Sequence, residues 1–283
     1  MLSRYDYVKP DSLESALQYF KDNPETKILA GGTDLLVVLR KNVIDCKHML
    51  DIKGIEELRR LEYKAGEGLY IGANVIVNDL VVNEDIRKKY PAVIDGAKHL
   101  ASYQLRNRAT AVGNMCNASP GADLAPAFLV YDAQVIIQSA DGERKLPLEQ
   151  FFKGVKKTDL QAGEMVTAII LPDVEEGDKA SYHKMARIYG HDLAISGAAV
   201  RVTADKQVKI ALNAVAMTPI RLHDLEKELE GKELNAETVQ WTEEQIPNHI
   251  KPIDDVRSSK EYRLAVSGVL VKRSFEAALK KEA

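Results

Sequence analysis

Two short glycine-bearing stretches carry the residue types with which this chain can do chemistry. The first is Ile28-Leu29-Ala30-Gly31-Gly32-Thr33-Asp34-Leu35-Leu36, an apolar segment that runs into paired glycines, a hydroxyl and a carboxylate. The second spans Arg106 to Asp123 and holds Thr110, Gly113, Asn114, Asn117, Ser119 and Asp123. Stretches rich in small and hydroxyl residues leave backbone N–H groups free and let another molecule come close. In the first, a strand is expected to end at Ala30. Gly31 and Gly32 then permit a sharp turn, since glycine tolerates positive φ. Thr33 or Asp34 is placed to cap a short helix through Leu39. A helix N-terminus presents unpaired donors and about half a positive charge, which suits a phosphate. The second stretch reads as a loop whose side chains both donate and accept, as a phosphate joined to a polyol requires. The two are expected to meet in space. Neither is a Rossmann fingerprint or a P-loop. Paired glycines are also common turn punctuation, so two tight turns without a ligand are the competing reading.

The elements that position these stretches follow from periodicity. Asp11 and Glu14 fit a capping box, and Leu13, Ala16, Leu17 and Phe20 follow at helical spacing until Asn23-Pro24. Lys27 to Ala30 reads as the strand feeding the first stretch, and Met49 to Ile52 as a strand closing a small α/β unit. Leu69 to Gly72 opens a second unit. There Asn78 is expected to cap a short helix, and Pro91 to divide a longer one. Ala133 to Ser139 and Arg144 to Leu146 read as a hairpin turning at Asp141-Gly142. Val166 to Leu171 reads as a further strand. The acidic segment 172–178, with Pro and Gly, is the expected boundary. Beyond it come antiparallel strands, Ile195 to Val202 and Val208 to Ala216, and helices Leu222 to Leu229, Ala236 to Gln245 and Glu261 to Lys281. The expected domains are 1–175, in subdomains of about 1–55 and 56–175, and 176–283.

Composition narrows the function. A length of 283 residues holds about two domains, and a hydrophobic fraction of 45% is ordinary for a globular chain. The net charge of −3, with both signs mixed, argues against nucleic acid as partner. No apolar run is long enough to span a bilayer, and the N-terminus does not read as a signal peptide. Cys46 and Cys116 form no disulfide framework and no metal spacing, which suits a reducing, cytoplasmic location. Cys116 reads as a buried thiol rather than a redox centre, and the histidines show no ligand spacing. Tyr103 and Tyr189 read as packing beside the second stretch, and Lys156-Lys157 as a solvated turn.

The residues also carry a family resemblance. Ala30-Gly31-Gly32-Thr33-Asp34-Leu35, Arg106-Asn107-Arg108-Ala109-Thr110 through Gly113-Asn114, and Asn117-Ala118-Ser119-Pro120 resemble the two FAD-binding motifs of the molybdenum hydroxylases. In that family they lie in the FAD subunit or domain of xanthine, carbon monoxide and nicotinate dehydrogenases. Phe151-Phe152-Lys153-Gly154, Lys157-Thr158, Gly163-Glu164, Lys184, Asp192-Leu193-Ala194, Thr218-Pro219-Ile220-Arg221 and Tyr262-Arg263 extend the resemblance over nearly the whole chain. The family usually has glycine where Val112 stands, and valine does not easily take positive φ.

The resemblance implies an α+β fold of the vanillyl-alcohol-oxidase type in two subdomains, followed by a C-terminal domain with an antiparallel sheet and helices. FAD would lie extended between them. Leu29, Ala30, Gly31, Gly32, Thr33 and Asp34, with Thr110, Gly113 and Asn114, would wrap its pyrophosphate. Asp123 would accept from ribityl or ribose hydroxyls, Lys184 would sit near the polar edge of the isoalloxazine, and Asp192 would order a turn beside it. Partner subunits would supply 2Fe–2S clusters and molybdopterin. This chain would then pass electrons from the clusters to an acceptor such as NAD, with no catalytic side chain of its own. Two cysteines cannot ligate a four-thiolate cluster. Two rival readings are a stand-alone flavin oxidase or reductase of the same fold, and a binding module without FAD.

Overall fold

The computed structural model describes residues 4–188 and 190–280, so Tyr189 and Lys281 lie outside the described residues. Strands Asp6–Val8 and Lys27–Leu29 flank His48–Asp51 in a parallel sheet. Parallel pairing needs a crossover, and helix Leu13–Asp22 supplies the first one. Its cap is Ser12, whose Oγ accepts from the Ser15 N–H at 3.2 Å, rather than Asp11. Ser12 alone stands next to the first helical residue, in the extended conformation that a cap requires. Leu29 packs with Leu39, Cys46 and Met49 beneath the sheet, which anchors the start of the first glycine stretch.

The second unit is an antiparallel sheet with the spatial order Leu61–Lys64, Gly68–Gly72, Met165–Leu171, Gln134–Ser139 and Gly142–Pro147. Met165–Leu171 is central and almost wholly buried, which explains its unbroken apolar run. The helices sit in the long connection between Gly68–Gly72 and Gln134–Ser139. Pro91 begins helix Pro91–His99 after Glu84–Lys89 ends, as its missing N–H favours. Asn78 does not cap a helix. It lies inside helix Val77–Val82, whose cap position is Ile76. Buried there, its amide donates to Tyr103 O (3.0 Å) and Asn107 Oδ1 (2.7 Å) and accepts from Arg106 Nε (3.0 Å). This network shapes the turn that leads into the second stretch.

The last unit is the antiparallel sheet Lys179–Met185, Ser196–Val202, Val208–Asn213 and Ile220–Arg221, in that order, with its own core. Helix Lys260–Lys280 packs across it beside Ala236–His249, which continues through Pro247 past the expected end. Two arginines of this sheet bind the carbonyl end of the buried helix Ala125–Val130 in the preceding unit. Arg201 donates to Val130 O at 3.3 Å, and Arg221 to Leu129 O at 3.0 Å. Cations at a helix C-terminus satisfy carbonyls left without partners and oppose the negative end of the dipole.

Arg263 is 2% exposed, the largest side chain buried so fully among the described residues. Its guanidinium donates to Ile195 O (2.6 Å), Ala214 O (2.9 Å) and Asp255 Oδ1 (2.7 Å). Arg263→Ala leaves those acceptors and the Asp255 charge without this partner. Asp255 keeps Arg257, so the cost falls on the buried carbonyls, and we expect stability to drop by about 2–4 kcal/mol, read as a shifted urea midpoint at unchanged slope.

Candidate functional site

The first stretch is a turn stripped of side chains and of backbone partners. Gly32 has φ of 75°, which glycine adopts without strain. Gly31 is required for a different reason. A Cβ on it would stand 2.1 Å from Arg108 O and 3.0 Å from Ala109 Cα, both backbone atoms of the second stretch. The two stretches therefore touch, main chain against main chain. After the turn, Leu36 N–H returns to Gly32 O, and Val37 and Val38 N–H both reach Asp34 O, each at 3.1 Å. Asp34 occupies the cap position of helix Leu35–Arg40, but its carboxylate makes no cap bond. The N–H groups of Gly31, Gly32, Thr33, Asp34 and Leu35 have no acceptor among the described residues.

The second stretch is not a loop at its centre but the short helix Ala111–Cys116. Thr110 caps it, its Oγ1 accepting from Gly113 N at 3.0 Å. Ala111 N–H goes to Val75 O (3.1 Å) and Asn114 N–H to Thr110 O (3.0 Å), so most amides here are already spent. Val112 is helical and 2% exposed, a conformation any residue accepts, so nothing is lost where the family has glycine. Gly113 likewise has no positive φ. A Cβ there would press on the Thr110 Oγ1 at 2.6 Å and disturb the cap. The Asn114 Oδ1 is buried and has no partner among the described residues. An unpaired buried acceptor is costly, and a ligand donor would relieve it.

Asp123 and Lys184 meet where the last unit closes on the second stretch. The Lys184 Nζ donates to Asp123 Oδ2 (3.0 Å), His99 O (3.0 Å) and Asp192 O (2.8 Å), which uses all three of its protons. Its side chain is 3% exposed. The other Asp123 oxygen accepts from Tyr182 OH at 3.1 Å. Burial pushes the Asp123 carboxyl up to about 6, against the downward pull of Lys184 and Tyr182. Asp192 binds Arg187 through both oxygens and accepts from Leu193 N–H at 2.9 Å, which orders the turn whose carbonyl holds Lys184. Arg187 and its own desolvation act on Asp192 in opposite directions, and the arginine wins, keeping the carboxyl far below its usual range.

Other residues singled out from the sequence fall elsewhere. Burial pushes the Cys116 thiol up to about 12, so it is inert. Tyr103 is 64% exposed. Lys156 stands in an exposed turn, and its Nζ also donates to Asn117 Oδ1 at 2.7 Å. Three contributors carry no signal in the sequence. Asn213 donates to Ala122 O at 2.9 Å, Tyr182 holds Asp123, and the His99 carbonyl receives Lys184. All act across the junction of two units, which no local pattern marks.

The arrangement fits a dinucleotide. A run of bare amides lies on a turn that admits no Cβ, and the next stretch aims a buried, unpartnered amide oxygen. Free N–H groups on such a turn suit phosphate oxygens, and the amide oxygen suits a hydroxyl or N–H donor.

Comparison with known proteins agrees with this geometry. Residues 3–174 match the FAD binding domain in molybdopterin dehydrogenase, and residues 180–278 the CO dehydrogenase flavoprotein C-terminal domain. The chain is 32% identical to the glyceraldehyde dehydrogenase medium chain of Sulfolobus acidocaldarius, covering 96% of this chain and 97% of that one. It is 31% identical to the xanthine dehydrogenase FAD-binding subunit of Escherichia coli O157:H7, covering 96% and 95%. A solved chain of carbon monoxide dehydrogenase from Hydrogenophaga pseudoflava superposes with a TM-score of 0.94 at 30% identity, over 100% of both chains. The bare turn, the capped helix and the antiparallel C-terminal sheet thus belong to a known α+β architecture, and this chain is a member of the family of FAD-binding subunits of molybdenum hydroxylases.

Proposed function

We propose that this chain is the electron-relay subunit of a cytoplasmic three-part molybdenum hydroxylase. A partner with 2Fe–2S clusters supplies electrons from a molybdopterin-binding large subunit, and this chain delivers them to an acceptor such as NAD. The observation that carries the reading is the close approach of Gly31 to the Arg108 carbonyl, which sets the two stretches side by side. The relatives support it further. Their names span glyceraldehyde, xanthine and carbon monoxide, while the flavoprotein chain stays similar throughout. A subunit indifferent to substrate is one that handles electrons. Among the described residues no group of His, Cys, Asp or Glu could hold a metal, and no helix is long and apolar enough to cross a membrane.

Bound FAD supplies the redox chemistry, taking electrons one or two at a time. What the chain supplies is position. The amides from Gly31 to Leu35 would hold the pyrophosphate, with Leu29 and Ala30 setting the turn and Thr33 and Asp34 lining it. Thr110 and Gly113 form the cap that aims Asn114. Asp123 and Lys184 sit opposite, and their mutual pairing keeps both charges fixed and water excluded. Residues 1–175 form the FAD domain in this reading, and 176–283 the domain that closes it.

Two outcomes test this. Gly31→Ala forces a carbon against Arg108 O, so the stretches must part. FAD content should fall at least tenfold at matched folded protein, and equal flavin in variant and wild type sinks the placement. Denatured wild type should release its FAD into solution, since no histidine stands in either stretch. Separately, the lone chain should show little turnover with any organic substrate and regain it only with iron–sulfur and molybdenum subunits. Oxidation of a small organic molecule by the chain alone at roughly 1 per second or faster replaces the relay with a stand-alone oxidase.

A further inference from the structure

A diphosphate is dianionic, yet neither the glycine turn nor the capped helix that faces it contains a cation of its own. From Leu29 to Leu36 the only charged side chain is Asp34, and from Thr110 to Asp123 the only one is Asp123. Arg106, before the helix, is spent on Asn78 and on the carbonyls of Lys98 and Leu100. Lys184 is near, but Asp123 and two carbonyls consume its three N–H donors. Arg108, exposed just before the helix, is one candidate for the balancing charge, and another part of the chain brings a second.

The hairpin formed by Phe152–Gly154 and Lys157–Thr158 brings one. Its tip residue, Lys156, has φ of 58°, a left-handed conformation that costs energy for a non-glycine residue. The strained turn folds back on the second stretch. Lys156 N–H donates to Ala118 O at 3.0 Å, and its Nζ donates to Asn117 Oδ1 at 2.7 Å. The same ammonium lies within electrostatic reach of Asp34 in the first stretch. Burial lowers its pKa and Asp34 opposes the shift. Of its three donors, one is engaged among the described residues. Lys156 and the residue after it, Lys157, are both exposed, but among the described residues only Lys156 reaches the second stretch.

We propose that Lys156 is a cofactor-binding residue, its ammonium held by Asn117 between the two stretches so that its free donors meet the diphosphate of the bound dinucleotide. The inference rests on the FAD reading above and adds the counter-ion that the turn and the helix lack. Strain at the hairpin tip is then the local cost of carrying a cation to a place where the glycine stretches allow no long side chain.

FAD titration of the full 283-residue chain, stripped of flavin, tests it. Wild type, K156Q, K156R, K157Q and R108Q are compared at about 50 mM and about 500 mM salt, with the melting temperature of each stripped chain recorded. K156Q should bind FAD about tenfold more weakly at low salt, and the gap should close to about threefold or less at high salt, as a lost charge contact requires. K156R should lie within about threefold of wild type, because it keeps the charge. K157Q should match wild type. The proposal is overturned if K156Q binds as wild type does, if its deficit is the same at both salts, which marks a purely structural strap, or if R108Q alone shows the salt-dependent loss. Wild type that binds no FAD at all overturns the cofactor reading itself, a result distinct from each of these.

Discussion

The contact on which the rest depends is between two backbones. Gly31 approaches the Arg108 carbonyl so closely that a methyl group would stand 2.1 Å from the oxygen. Main chain can approach main chain this way only where a side chain is missing. Everything nearby is arranged to permit it. Leu29 is fixed in a small core below, Gly32 turns the chain with positive φ, and the Arg106–Asn78–Asn107 network sets the segment that presents Arg108 O. The N–H groups left bare on the first stretch are a consequence. A turn pressed against another backbone has no room for the side chains that elsewhere would cap them.

The two stretches divide the work unequally. The Gly31-Gly32 turn contributes backbone, because its amides are free and its side chains small. The stretch around Thr110 is similar in composition yet contributes side chains, because Thr110 converts it into a capped helix that consumes its own amides. Valine in place of glycine at position 112 is therefore neutral in conformation, while the Asn114 oxygen is left waiting for a donor. Where the last unit closes on the cleft, charges are paired before any cofactor is considered. Lys184 and Asp123 satisfy each other, Arg201 and Arg221 tie a helix end across the junction, and Arg263 ties strand ends within the last unit. Such pairs contribute less to net stability than to holding one arrangement, because desolvation offsets much of their attraction.

Much of this was legible in the sequence, and the failures have a common cause. Elements with a strong period, such as Leu13–Asp22, Met165–Leu171 and Lys260–Lys280, fall where their patterns put them. So does the break at Pro91. The strands that escaped, Asp6–Val8, Leu61–Lys64 and Lys179–Met185, carry polar or mixed faces that exist only because a neighbour pairs with them. Asp11 and Asn78 are cap-type residues at plausible offsets. They lost to Ser12, one place nearer the helix, and to a buried network that no local rule describes. Motif residues were readable because glycine, threonine and asparagine at fixed spacing carry backbone meaning. Tyr182, Asn213 and Lys156 were not, since their roles depend on which distant segment arrives beside them.

Charge is unevenly placed around the two stretches. The glycine turn is backbone and nearly neutral, the Lys184–Asp123 ion pair is locked beside the second stretch, and a cation with spare donors among the described residues sits at a hairpin tip of positive φ. A cation fixed inside the glycine turn would need a side chain where close approach forbids one, and one borrowed from that ion pair would leave Asp123 buried without its partner. Supplying it from a separate hairpin meets both constraints. On that proposal, the hairpin, the two stretches and the closing sheet act together. Those parts are drawn from positions as far apart as Gly31, Thr110, Lys156 and Lys184. That separation agrees with a family match that runs over nearly the whole chain rather than through one motif.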